Sequence, residues 1–326
     1  MSFRLTRCTD RAAWDRFATS SPQGNVFCLT PFLQALGEEF ELLFIEDGSS
    51  PVLGVIQLSR AGIPVRAPYP LTMYQGLLWA EESAALPSHS RTKHGLEAIE
   101  YLLSELEKEF ARISFCLHHR FEDLRGFSWF HYHEPERGRF QIDLRYTGLL
   151  DLLNVSDFES YLASIRTTRR QEYRKAERLG FAVEPSQDLD LLIQLHQRTF
   201  ERQGIQQDTS ETGVLRSIAA AALAGHFGEL FVCKDANGLA TCATFFLHDE
   251  RCAYYWVAAN DPEYRNTGSS TYLMLENIRR YKEAGKVRTI DFVGINSPNR
   301  GDFKTSFNAQ PAPYFVVNWE RPAQES

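Results

Sequence analysis

The chain has 326 residues, 43% of them hydrophobic and 24% charged, with a formal net charge of −7. That length suits two domains with cores of their own, needing no disulfide or metal staple. The acidic balance argues against a general nucleic-acid coat, which is usually basic. Mean hydropathy is −0.33, and the alanine-rich run Ile218 to Gly225 is far short of the roughly 18–20 apolar residues of a membrane span. The opening stretch Met1 to Arg7 lacks the apolar core of a secretory signal. No membrane span and a reducing cytoplasmic setting are therefore expected. The six cysteines form no C-x-x-C, and Cys233, Cys242 and Cys252 sit in strand-like runs that read as buried thiols.

In chain order, Glu41 to Gly48 followed by Val52 to Ile56 reads as strand, turn, strand. A strand-like segment ends at Tyr74-Gln75-Gly76-Leu77-Leu78-Trp79. An amphipathic helix runs from about Gly95 to Phe110, with Leu96, Ile99, Leu102, Leu103, Leu106 and Phe110 on one face. The strand Ile113 to Leu117 follows. The histidine pairs His118-His119 and His131-x-His133 have no acidic or thiol partner at ligand spacing, so no metal site is read there. His131 and His133 alternate as on a strand. Arg145 to Asn154 marks the boundary between halves, giving domains at 1–150 and 151–326.

The second half opens on one long charged helix, Asp157 to Leu179, with Ser156 as N-cap and Glu159 as its capping-box partner. A second helix covers Leu189 to Arg202. Glu229 to Gly238 and Ala240 to Leu247 then repeat the hairpin pattern of the first half, aligned without a gap. Cys252 to Ala258 is a strand, Gly268 to Ala284 a helix stopped by Gly285, and Thr289 to Val293 a strand. Each half thus reads hairpin, strand, helix, strand, a tandem duplication of one α/β unit.

Three segments carry chemistry. Asp261 to Ser270 joins a strand to a helix through a Gly/Ser turn. Free backbone N–H groups and the helix dipole make such a turn either an anion seat, with Arg265 adding charge, or an ordinary cap by Ser269 or Ser270. The spacing is neither a P-loop nor G-x-G-x-x-G. Second, the strand ending Asp291-Phe292-Val293-Gly294 leads through a polar loop to Phe303-Lys304-Thr305-Ser306-Phe307. A lysine between two phenylalanines either stabilises an oxyanion or phosphate, or snorkels over aromatic surface. Third, Arg166 to Arg178 holds six cations. Arg166, Arg170, Tyr173, Arg174 and Glu177 share a helical face that suits a polyanionic ligand or is simply solvated.

Together these pieces, with Trp14-Asp15-Arg16-Phe17, Ser21 to Phe27 and Tyr74 to Leu77, resemble the FemAB-like / BioF2-like branch of the GNAT acyltransferase superfamily. The resemblance spans nearly the whole chain. It implies an α/β (α+β) protein of two tandem GNAT-like domains, each a mixed, mostly antiparallel sheet flanked by helices. It implies an N-acyltransferase without a tightly bound cofactor, drawing on acyl-CoA and acylating a small-molecule or peptide amine. The alternative donor is an aminoacyl-tRNA, used to extend a peptidoglycan precursor or peptide. A further alternative is a non-catalytic ligand-binding module.

By residue, the resemblance places Lys304 and Phe303 at the acyl-transfer centre. Arg265, Gly268, Ser269 and Ser270 form the donor's pyrophosphate loop, and Arg166 and Arg170 hold an anionic substrate in a cleft. Tyr254 and Tyr255 donate a proton or orient the acceptor. Tyr74 and Gln75 join the substrate-binding set. Asp291, near a strand end, is the candidate general base. Two departures stand out: Ser270 replaces the Gly or Ala usual at the end of the loop, and no coiled-coil insertion interrupts Arg145 to Gly180.

Overall fold

The computed structural model describes residues 2–155, 157–201 and 209–323. The chain divides into two compact units. The first contains the residues up to Arg145 together with those from Pro313 on; the second is Tyr146–Ala312.

The first unit runs β1 (Phe3–Arg7), α1 (Arg11–Ser20), α2 (Thr30–Leu36), β2 (Glu39–Asp47), β3 (Ser50–Arg60), β4 (Ile63–Pro64), β5 (Leu77–Trp79), α3 (Glu81–Ala84), α4 (Ser88–Glu109), β6 (Arg112–Cys116) and α5 (Arg125–Trp129). The expected hairpin is β2–β3, with Leu43 opposite Val55. β1 and β5 extend this antiparallel sheet. α4 buries Ala98, Ile99, Leu102, Leu103 and Leu106 against Leu43, Val55, Leu77 and Phe115. Each such side chain contributes roughly 1.5–3 kcal/mol of burial. The strand expected around His131 and His133 is absent. α5 ends at Trp129 and His131 turns at φ +52°. At Gly126 a Cβ would lie 2.4 Å from the Ile99 side chain, so the bare backbone of α5 packs onto α4. Packing outweighs the strand propensity of the aromatic run.

The division falls inside β7 (Gln141–Asp151). The second unit continues with α6 (Phe158–Ser164), α7 (Thr167–Arg178), β8 (Ala182–Ser186), α8 (Leu189–Glu201), α9 (Thr209–Ala224), β9 (Gly228–Lys234), β10 (Ala240–His248), β11 (Cys252–Asn260), α10 (Ser269–Ala284), β12 (Thr289–Asp291) and α11 (Pro298–Thr305). Its sheet runs β7-β12-β11-β10-β9-β8. β11 and β12 are parallel, because α10 crosses between them. The other pairings are antiparallel. β13 (Gln310–Glu320) then leads back to the first unit and pairs Val317 with Phe115. Val317 and Trp319 are buried in the first unit's core. The C-terminal segment therefore does not stay with the second domain, as the division at 150 had it.

Two local expectations change. The single helix Asp157 to Leu179 is two helices, broken where Ile165 is buried in extended conformation and the Arg166 N–H reaches Ser306 O. Asp157 caps α6 by accepting from Ser160 N at 2.8 Å. The proposed cap Ser156, and Arg202 at the end of the next helix, lie outside the described residues. The polar loop expected at Arg300 to Phe303 is α11, started by Ser297 as N-cap and Pro298 at N1. All six cysteines are free thiols; Cys233 and Cys242 are buried and Cys252 is half-buried.

Candidate active site

The site forms where β12 ends. The chain leaves Asp291 and passes through Val293 and Gly294, both left-handed, at φ +52° and +71°. A β-branched residue in that region is strained. α11 then brings Lys304 back onto the turn. Its half-buried Nζ donates to Val293 O at 2.7 Å and Gly294 O at 2.9 Å. The same ammonium lies 5.8 Å from the Tyr255 ring centroid. Burial depresses its pKa to about 8, partly offset by the negative Asp291. Lys304 is thus mostly a cation at neutral pH. Two of its three donors are spent, and the third has no protein acceptor among the described residues.

α11 reaches this position because residue 301 is glycine. A Cβ there would lie 2.3 Å from Ile295 O. Phe303 packs edge-on against Phe307 at 5.0 Å. The Arg169 guanidinium caps Phe303 at 5.1 Å. Arg169 also donates to Glu172 at 2.6 Å and to Thr271 Oγ1 at 3.0 Å, while its Nε is buried without a partner among the described residues.

The segment before α10 is differently placed. Arg265 is exposed. Gly268 is the N-cap at φ +89°, and both Gly268 and Ser269 are buried beneath α7. A Cβ on Gly268 would sit 2.5 Å from Glu172 O. Ser270 Oγ donates to Asn260 Oδ1, and Thr271 Oγ1 to the Glu172 carboxylate, each at 2.5 Å. The first turn of α10 is thus already faced by a carboxylate of this chain.

Residues 163–305 match the family model described as an acetyltransferase (GNAT) domain. The chain carries a GNAT acyltransferase domain. Lys304, Phe303, Arg169 and the whole of α10 lie inside that match. No curated protein matches the chain. Among solved structures, FemX aligns over 97% of this chain and 97% of its own, with a TM-score of 0.68 and 13% identity. A tandem GNAT protein from the clavulanic acid biosynthesis pathway covers 99% and 100%, with a TM-score of 0.55 and 11% identity. L-PGS from Bacillus licheniformis covers 94% and 91%, with a TM-score of 0.54 and 13% identity. At such identities the likeness is one of fold, that of GNAT-like units in tandem.

Within this GNAT domain the sequence-derived residues separate. Lys304, Phe303, Tyr255 and Asp291 lie around the β12 end. Asp291 is 1% exposed. Its Oδ1 accepts from Val293 N at 2.7 Å and from the Thr147 hydroxyl. Tyr255 is buried among Phe246 and Phe292, which raises its pKa and disfavours proton loss. Tyr254 points to the other face of β11, and its hydroxyl donates to Asp249 at 2.9 Å. Arg166 is exposed and bonds Asp302 through both guanidinium nitrogens, at 2.6 and 2.8 Å. Arg170 turns back to Ala163 O and Thr167.

Tyr74 and Gln75 belong to the first unit. Tyr74 is buried edge-on to His118 and Tyr314, at 4.6 and 5.5 Å. Gln75 Nε2 donates to Phe27 O at 3.4 Å. Sequence reasoning missed Arg169, Glu172 and Thr147. The first two carried a signal, since they share the inward face of α7 with Tyr173 and Ala176; Thr147 carried none. Among the described residues no three His, Cys, Asp or Glu side chains converge on a metal-ion position, and no helix is long and apolar enough to cross a membrane.

Proposed function

We propose that the chain transfers an acyl group from an activated donor to a primary amine, with Lys304 stabilising the tetrahedral oxyanion. The amine nitrogen attacks the carbonyl carbon, the C–N bond forms, and the carbonyl electrons move onto oxygen. Collapse expels the donor's leaving group, and the amine's extra proton departs with it or to water. The observation that carries this reading is the half-buried Lys304 ammonium with one unspent donor. A fixed cation in a partly desolvated position stabilises developing negative charge better than water does. Turnover of Lys304→Ala and Arg265→Ala on an identified amine tests it. Unchanged rates in both would sink the site assignment.

Acyl-CoA is the donor the family resemblance implies first. The alternative, an aminoacyl ester on a tRNA 3′ end, is favoured by one specific observation. A CoA diphosphate at the start of α10 would meet buried Gly268 and Ser269 and the Glu172 carboxylate bonded to Thr271. Arg169 already pairs with that carboxylate, so what stands in the way is the backbone of α7 packed on Gly268. A donor that places no diphosphate on α10 avoids this conflict. Binding of labelled acetyl-CoA and of labelled aminoacyl-tRNA to the full chain separates the two. Saturable acetyl-CoA binding that depends on Arg265 would restore the first reading.

A further inference from the structure

We infer that Thr147 and Asp291 form a buried clamp that holds the strained Val293–Gly294 turn and thereby positions Lys304. This rests on the reading of Lys304 as the oxyanion-stabilising cation, but the geometry is independent of any substrate. β7 and the chain after β12 are joined by two backbone bonds, Phe292 N to Gly148 O and Ile295 N to Tyr146 O, both 2.9 Å. Val293 and Gly294 bulge out between them. Something must hold two consecutive left-handed residues there, since such strain persists only when its surroundings over-determine it.

Thr147 is fully buried at the centre of the bulge. Its hydroxyl donates to Asp291 Oδ1 and accepts from Gly294 N at 3.3 Å. The same Oδ1 accepts from Val293 N at 2.7 Å. Both amide hydrogens of the turn are therefore fastened from below. Both of its carbonyls face Lys304 from above. The turn is a rigid washer between a buried carboxylate and the ammonium. Asp291 is accordingly a positioning residue, and its burial leaves it badly placed as a general base.

The charges around Lys304 are few. Asp291 favours its protonated form, Arg300 on α11 opposes it, the Tyr255 ring lies beside it, and Arg169 covers the adjacent Phe303. Cys252 and Tyr254 face Asp291, and both are kept neutral by burial. Among the described residues Asp291 is thus the one anion acting on Lys304 through the turn.

The test is a side-chain NMR titration of the full chain with isotopically labelled lysine, the Lys304 signal being assigned by its loss in Lys304→Arg. The wild-type signal is expected to titrate near 8. Asp291→Asn is expected to lower that midpoint by about one unit. Thr147→Val is expected to shift it as well, and Thr147→Ser, which keeps the hydroxyl, to restore it. If Asp291→Asn does not fold, the Thr147 pair carries the test. An unmoved Lys304 midpoint in a folded Asp291→Asn protein overturns the clamp, and so does a Thr147→Ser protein that behaves like Thr147→Val. Loss of turnover in Asp291→Asn with an unmoved midpoint would return Asp291 to the role of base. Because the titration needs no substrate, an active Lys304→Ala protein would end the catalytic reading without touching this result.

Discussion

Gly301 lies so close to the carbonyl of Ile295 that a Cβ would come within 2.3 Å of the oxygen. The contact seats α11 on the loop after β12 and so delivers Lys304, one helical turn on, to the Val293 and Gly294 carbonyls. Gly301→Ala must push the two apart. It is expected to cost roughly 1–3 kcal/mol of stability, as overpacking usually does, and to lower acyl transfer further than the loss of folded protein explains. Urea unfolding and specific activity per folded molecule check both. Wild-type stability with full activity would mean that α11 tolerates a shift.

Removing the Lys304 ammonium should lower turnover about 100- to 1,000-fold, the range seen when one oxyanion-stabilising group is lost. Lys304→Met keeps most of the side-chain volume and isolates the charge. The effect is expected mainly in kcat, because the oxyanion exists only in the transition state. A change confined to KM would instead mark Lys304 as a ground-state binding group.

The depressed pKa of Lys304 also fixes the sign of a stability change. The folded-state value is about 8, below the ordinary 10.5. Below pH 8 the lysine is charged in both states, and the folded state carries the full desolvation penalty. Between about pH 8 and 10.5 the folded protein releases the proton before the unfolded chain does, so the penalty fades. Wild type should therefore gain stability relative to Lys304→Met over that interval and show a constant difference below it. Paired denaturant titrations at several pH values read this directly. A difference that stays flat through pH 10 contradicts the burial of Lys304.

Arg166 and Arg169 are close in sequence but should behave differently. The pair Arg166–Asp302 is exposed, and solvent screens most of its attraction. Arg166→Ala is thus expected to leave stability nearly unchanged. Arg169 is largely buried and ties α7 to both Phe303 and Thr271. Arg169→Ala leaves Glu172 without its cation, with Thr271 still bonded to it, and uncovers Phe303; it should cost more than Arg166→Ala in thermal unfolding and in turnover. Equal effects would show that the Phe303 contact contributes nothing.

Much of the architecture was legible in the residues. The hairpins β2–β3 and β9–β10 follow from apolar alternation around acidic and glycine turns, and α10 ends at Gly285 in the left-handed conformation its sequence announces. Ser297-Pro298 was a readable start signal for α11, obscured by the charged residues after it. The break between α6 and α7 was not readable, because helix-favouring residues run on both sides and the bond from Arg166 N to Ser306 O is a tertiary one. Sequence also assigned Gly268 to ligand access, whereas the structure uses its missing Cβ to admit the backbone of α7.

The sequence by itself determined what depends on neighbouring residues: element types, the duplicated α/β unit, and a lysine flanked by phenylalanines after a strand end. Only the tertiary structure decided what depends on residues far apart in the chain. It joined Thr147 to Asp291, Arg169 to Phe303 and Glu172 to Thr271, and it returned the strand after Pro313 to the first core. The reason is physical. Propensity and hydrophobic period act over a few residues, while burying a polar group selects whichever distant partner satisfies its hydrogen bonds.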